Sequence, residues 1–119
     1  MQNACVISYF NGESVETHAT IYTRACQFIQ QCDYAGALRD FVWLHDNPTV
    51  GDPASEVFRR AYGFQAWGQL GNVYPPAKEK MRELLDLNIA ILNAELPSKA
   101  IESDISAMKR ALASADSGQ

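Results

Sequence analysis

Apolar side chains recur at intervals of three and four residues through most of this chain, which is the spacing of helices that bury one face. The clearest example follows Asp33, whose carboxylate is suited to cap the first turn of a helix. We therefore predict a helix from Tyr34 to about Asp46, ended by the breaker-rich loop around Pro48. Its buried side is predicted to carry Tyr34, Ala37, Leu38, Phe41, Leu44 and His45.

The helix before it is predicted to run from Ser14 to about Gln31, with Ser14 as its cap. A second interpretation competes with it, because Asn11–Gly12 is a strong turn and β-branched residues follow. Residues 14–23 would then form the second strand of a hairpin with residues 4–10. We prefer the helix, preceded by a short extended N-terminal arm over residues 1–12.

Prolines and glycines divide the rest of the chain into three further helices. Asp52–Pro53 is typical of a helix start and Gly71 of a helix stop, so a third helix should lie between them. Its aromatic residues are predicted to lie in the core: Phe58, Tyr62, Phe64 and Trp67. Prolines at 75–76 and 97 begin a fourth and a fifth helix. The predicted fold is all-α and a single domain, with helical hairpins over 14–47 and 53–94, a terminal helix over 97–114 and a frayed tail over 115–119.

The third helix ends in a repeat signature. Trp67-x-x-Leu70-Gly71-x-x-Tyr74 matches the W-x2-L-G-x2-Y pattern of tetratricopeptide repeats. The second helix, with small Ala37 after Asp33–Tyr34, resembles the second helix of such a repeat. The corresponding core positions, Ile21 and Trp67, lie further apart than the family's period of about 34 residues, so the resemblance covers two degenerate units. It implies antiparallel hairpins in a right-handed array that binds a protein or peptide.

The resemblance also implies a groove lined by the first helix of each hairpin. An apolar groove left open is a binding site or an aggregation liability. We therefore expect the groove to be occupied. The candidate occupants are the protein's own N-terminal arm, a second copy of the chain in a homodimer, or a helix or peptide of a partner. In the alternative, the first helix packs against the fifth and leaves no groove. The candidate partner-binding residues are Tyr22, Cys26, Ile29, Gln65, Gln69 and Asn72.

Composition narrows the function classes. At 119 residues, 47% hydrophobic and 20% charged, the chain has the composition of a globular domain. A net charge of −4 and a pI of about 5.0 argue against a nucleic-acid partner. No apolar run approaches the ~20 residues of a membrane helix. An odd count of cysteines and the lack of a basic N-terminal region favour a cytoplasmic location.

Candidate chemistry is sparse. Cys5, His18, Cys26 and Cys32 are zinc-ligand types, but their spacings match no paired ligand motif, so the thiols are interpreted as small apolar residues. No motif of a hydrolase, metalloprotease or nucleotide-binding protein is present. We predict no enzyme, no metal and no cofactor. The leading hypothesis is a protein-binding module or adaptor; an acidic inhibitory or toxin-neutralising protein is the alternative, ahead of a metal- or thiol-dependent enzyme.

Overall fold

The computed structural model describes residues 17–49, 51–94 and 98–117, and in these residues the fold is all-α, as predicted. The predicted arm lies outside the described residues, whereas residues 18–23 are helical and not a strand. The helices are α1 (His18–Gln30), α2 (Tyr34–Asp46), α3 (Pro53–Glu56, Val57–Gly63 and Phe64–Leu70), α4 (Pro75–Ala94) and α5 (Lys99–Ser117).

Side-chain caps fix the starts of the first three helices. The Thr17 hydroxyl accepts from the Thr20 amide at 3.1 Å, so α1 begins at His18 and not near Ser14, which lies outside the described residues. The Asp33 carboxylate accepts from the Gly36 amide at 3.0 Å. The α3 helix is capped in the same way by Asp52. Each cap satisfies an amide that the first helical turn leaves unpaired.

The middle of α3 differs from the regular helix that periodicity predicted. Val57–Gly63 is a π-helix, in which each backbone bond spans one residue more than in an α-helix. Gly63 closes this segment, and a Cβ atom there would lie 2.8 Å from both Leu44 Cδ1 and the Phe58 carbonyl oxygen. Since more residues share each π turn, successive side chains are separated by a smaller angle. The neighbouring Arg59 and Arg60 can therefore reach the same partner.

The core centres on Trp67 in the last segment of α3. Its ring stacks on Phe41 of α2 at 6.3 Å and meets Phe64 edge-on at 5.9 Å. The indole Nε1 donates to the Ala77 carbonyl at 2.8 Å, which joins α3 to the start of α4. Trp67 is fully buried, as the apolar pattern of α3 predicted.

The remaining helices pack closely around this centre. The α5 helix lies against α3 and α4. At the closest point a Cβ atom on Gly68 would lie 2.8 Å from the Ala111 carbonyl oxygen, so the contact requires glycine. The α1 helix packs against α2 and the π-helical part of α3. The alternative in which α1 packs against the fifth helix is therefore not the arrangement seen.

The α1–α2 contact yields a matched test. Ala37 is 0% exposed, whereas Ala35 on the same helix is exposed. We expect Ala37→Leu to lower the free energy of unfolding by about 1–3 kcal/mol through overpacking. Ala35→Leu should change it by less than about 0.5 kcal/mol. Urea denaturation measures both, and equal stabilities for the two variants would contradict the packing described.

Candidate protein-binding surface

Three aromatic rings form a continuous surface where α1 meets the π-helical part of α3. The Tyr22 ring centroid lies 5.8 Å from that of Tyr62 and 6.1 Å from that of Phe58. Phe58 and Tyr62 meet edge-on at 5.4 Å. Aromatic pairs at these separations attract one another beyond simple area burial. We call Tyr22, Phe58 and Tyr62 the aromatic seam.

Part of the aromatic seam faces solvent. Tyr62 is 49% exposed, and Val57, directly before Phe58 in the chain, is 44% exposed. The core position predicted for Tyr62 is therefore wrong, and Phe58 is only half-buried. The reason is that Arg59, Phe64 and Trp67 already occupy the inner side of α3. The opposite side, with Tyr62, is left to the surface.

The Tyr22 phenol is held in its neutral form. Burial raises its pKa, and a hydrogen bond with the Cys26 thiol and the nearby Cys26 and Tyr62 groups raise it further. The aromatic seam is composed of phenol and phenyl rings only and carries no formal charge. An uncharged, half-exposed aromatic surface suits an apolar partner with a few hydrogen-bonding groups.

The structure separates the predicted site residues. On α1, Tyr22, Cys26 and Ile29 are all half-buried, and Tyr22 belongs to the aromatic seam. On α3, Gln65 is half-buried and Gln69 exposed. However, the α1 backbone approaches α3 mainly at Val57–Gly63, before these glutamines. The α3 side chains seen beside Tyr22 are those of Phe58 and Tyr62.

Asn72, the last predicted site residue, lies beside other helices. Its Nδ2 donates to the Ala115 carbonyl of α5 at 3.4 Å. Its Oδ1 accepts from Lys78 Nζ of α4, also at 3.4 Å. These contacts place Asn72 where α3, α4 and α5 meet, and no contact of this side chain with α1 is seen in the described residues.

A polar cluster around a buried arginine was not predicted from the sequence. Arg59 is 0% exposed. Its Nε and one terminal nitrogen donate to the Leu44 and His45 carbonyls, at 2.6 and 2.8 Å. The same guanidinium donates to both carboxylate oxygens of Asp104, at 2.7 and 2.6 Å. Arg59 therefore connects the carboxyl end of α2 to α5.

Two further charges complete this cluster. Glu56 accepts from Arg59 at 3.0 Å. Arg60 donates from Nε to Asp104 at 2.6 Å and lies 3.2 Å from Glu56. We call Glu56, Arg59, Arg60 and Asp104 the arginine cluster. Since the Arg59 donors are directed at protein oxygens and the side chain is buried, we assign the cluster to holding helices together and not to binding a ligand.

The arginine cluster controls the ionisation of Asp104. Burial alone raises the pKa of this carboxyl, but hydrogen bonds and charges from Arg59 and Arg60 outweigh burial and hold the pKa below its usual range. The sequence contains one signal for the pairing of Asp104 with an arginine. Asp104 falls within the apolar stripe of Ile101, Ile105 and Met108, where a charge requires a partner.

The two histidines are engaged by protein groups. His18 Nε2 lies 2.6 Å from the Asn47 carbonyl oxygen and 3.1 Å from Thr49 Oγ1. His45, which the sequence placed on the apolar side of α2, lies between Asp46 and Asn88, at 2.8 and 3.0 Å. Among the described residues, no group of three or more His, Cys, Asp and Glu side chains is arranged to hold a metal ion. Cys5 of the candidate zinc set lies outside them.

Comparisons with protein-family models, curated proteins and solved structures found no match to this chain. The resemblance to tetratricopeptide repeats, and with it the right-handed array, therefore stays a prediction. Within the part of the chain that the structure describes, none of the helices is long and apolar enough to cross a membrane.

The lowered pKa of Asp104 predicts a loss of stability in acid. In the folded protein the carboxylate form of Asp104 is bound by Arg59 and Arg60. The stability that this binding contributes is present above about pH 4, the usual pKa of an aspartate in the unfolded chain. It is lost as the pH falls through the lower pKa of Asp104 in the folded protein. We expect Asp104→Asn to be less stable than the parent at pH 7 and to lose less stability between neutral pH and pH ~3. Urea midpoints measured across this range test this.

The exposed Asp86 offers a matched control. Asp86→Asn should keep the acid dependence of the parent. If Asp104→Asn and Asp86→Asn lost stability in parallel as the pH fell, Asp104 would not be the group responsible.

Proposed function

We propose that this protein is a small interaction module that binds a protein or peptide partner through the aromatic seam and the adjoining side of α1. The observation that carries the proposal is the exposure of Tyr62 beside Tyr22 and Phe58, on two helices that support each other. Apolar side chains scattered singly on a surface need no explanation, but a contiguous exposed group marks an interaction site.

The composition of the aromatic seam supports this proposal. Tyrosine supplies a large apolar area with a polar tip and is enriched among the residues that dominate binding energy. The rings of Tyr22 and Tyr62 both pack against Phe58, so little side-chain freedom remains to be lost on binding. Cys26 and Ile29 continue the half-buried side of α1 beyond Tyr22. A partner helix or strand laid along α1 would contact these residues in turn.

The rigidity of α3 also favours an interaction surface. Arg59 and Arg60, which lie between Phe58 and Tyr62 in the chain, are both fixed to Asp104 of α5. Phe58 and Tyr62 are therefore presented by a segment that two neighbouring arginine side chains attach to α5. Sites on rigid elements keep their geometry better than sites on loops.

The test is partner capture from the native cytoplasm with single-residue variants. We expect Tyr62→Ser to lower capture of the partner about tenfold or more, since a binding tyrosine of this kind contributes about 2 kcal/mol. Val57→Ser should weaken capture in the same direction. Circular dichroism and thermal melting would confirm that each variant is folded.

Leu87 provides the matched control, because it is 51% exposed on α4 and apolar. Leu87→Ser should capture the same partner as the parent. If Tyr62→Ser retained the partner, or if Leu87→Ser lost it equally, the aromatic seam would not be the binding surface.

A further inference from the structure

The described chain begins little more than one helical turn before Tyr22 of the aromatic seam. Thr17 caps α1, and Tyr22 follows five positions later, about 7.5 Å along a helix that rises ~1.5 Å per residue. Residues 11–16 link this cap to the apolar stretch 4–10. Six residues span up to about 20 Å. The link is therefore long enough for residues 4–10 to turn back over Tyr22 and Tyr62.

The chemistry of residues 4–10 matches this surface. Their sequence, Ala-Cys-Val-Ile-Ser-Tyr-Phe, has no charge and is rich in β-branched and aromatic side chains. Such a segment promotes self-association when it is exposed to water. Tyr62 and Val57 expose apolar surface nearby. If residues 4–10 cover Tyr62 and Val57, the apolar side chains of the segment and of the surface are both removed from water. The turn dipeptide Asn11–Gly12 is a suitable place for the chain to reverse.

Covalent linkage favours this occupant over a separate molecule. A segment joined through a short link acts at an effective concentration set by the length of that link, about millimolar for links of this size. A second copy of the chain or a partner at micromolar concentration must compete with it. The tethered segment therefore occupies the surface first, even where its own affinity is modest.

We infer that residues 4–10 cover the aromatic seam of their own chain and are displaced when the partner binds. This inference rests on the proposed function, because it concerns the same surface. It makes the N-terminal arm an internal competitor that sets the partner's apparent affinity.

Native cysteines make the inference testable in the full chain. Cys5 lies in the arm, Cys26 is half-buried one turn beyond Tyr22, and Cys32 is exposed after α1. The Cys32→Ser variant keeps Cys5 and Cys26, and the Cys26→Ser variant keeps Cys5 and Cys32. Both are treated with a mild oxidant, and disulfides within and between chains are separated by non-reducing electrophoresis and mass spectrometry.

We expect Cys5 to join Cys26 within one chain several times faster than it joins Cys32. An unbound arm would favour Cys32, because that thiol is the more exposed. Faster pairing with Cys32, or equal rates, would overturn the inference. Predominant disulfides between chains would also overturn it.

A second measurement uses the arm's apolar residues. Replacing Val6 and Ile7 together by Ser in the full chain should raise the alkylation rate of Cys26 severalfold, with Cys32 unchanged as an internal control. An unchanged Cys26 rate would overturn the inference. If neither the faster Cys5–Cys26 pairing nor the raised alkylation of Cys26 is seen while Tyr62-dependent partner capture is intact, only the inference about residues 4–10 is rejected. If both effects are seen but no partner depends on Tyr62, only the proposed function is rejected.

Discussion

The structure depends on one buried cation. Arg59 has no access to solvent, and removing a guanidinium from water is costly unless its donors find acceptors. Those acceptors come from three helices: the last carbonyls of α2, Glu56 of α3 itself and Asp104 of α5. Since the arrangement satisfies the charge only when all three are in place, Arg59 fixes how these helices meet.

This constraint extends to the aromatic seam. A guanidinium near the carboxyl end of α2 also interacts favourably with the partial negative charge of that helix end. Arg59 reaches those carbonyls from the π-helical part of α3, while Arg60 reaches Asp104 from the next position. The inner side of α3 is occupied by Arg59, Phe64 and Trp67. Tyr62 therefore lies on the outer side of α3, beside Tyr22 of α1.

Local signals predicted the helices well and the contacts between them poorly. Asp33, Asp52 and the paired prolines mark helix starts through chemistry that acts within one turn, so the bounds of α2 and α4 followed from the sequence. Burial of Ala37 and Trp67 followed from periodicity. The start of α1 was misplaced because Ser14 and Thr17 are both competent caps.

The arginine cluster and the surface required tertiary information. Arg59 and Asp104 are far apart in the chain, and a charge on a helix is ordinarily read as solvated. The π-helical segment leaves no periodic signal, yet it decides which side of α3 faces outward. For this reason Tyr62 was predicted to be buried, and the sequence analysis chose Gln65 and Gln69, and not Phe58 or Tyr62, as site residues of α3. The charge of Asp104 within an apolar stripe was the one local clue to the missing pair.

A double-mutant cycle on Arg59 and Asp104 tests this account most directly. Arg59→Met and Asp104→Leu should each lower the free energy of unfolding by about 3–5 kcal/mol, because each removes the two-pronged partner of a buried charge and leaves it only one other charged partner. The double variant should lose at least about 1 kcal/mol less than the sum of the two. The exposed Lys80–Glu83 pair serves as control, with a coupling below about 0.5 kcal/mol. Additive losses at Arg59 and Asp104, with no more coupling than in the exposed pair, would contradict the account.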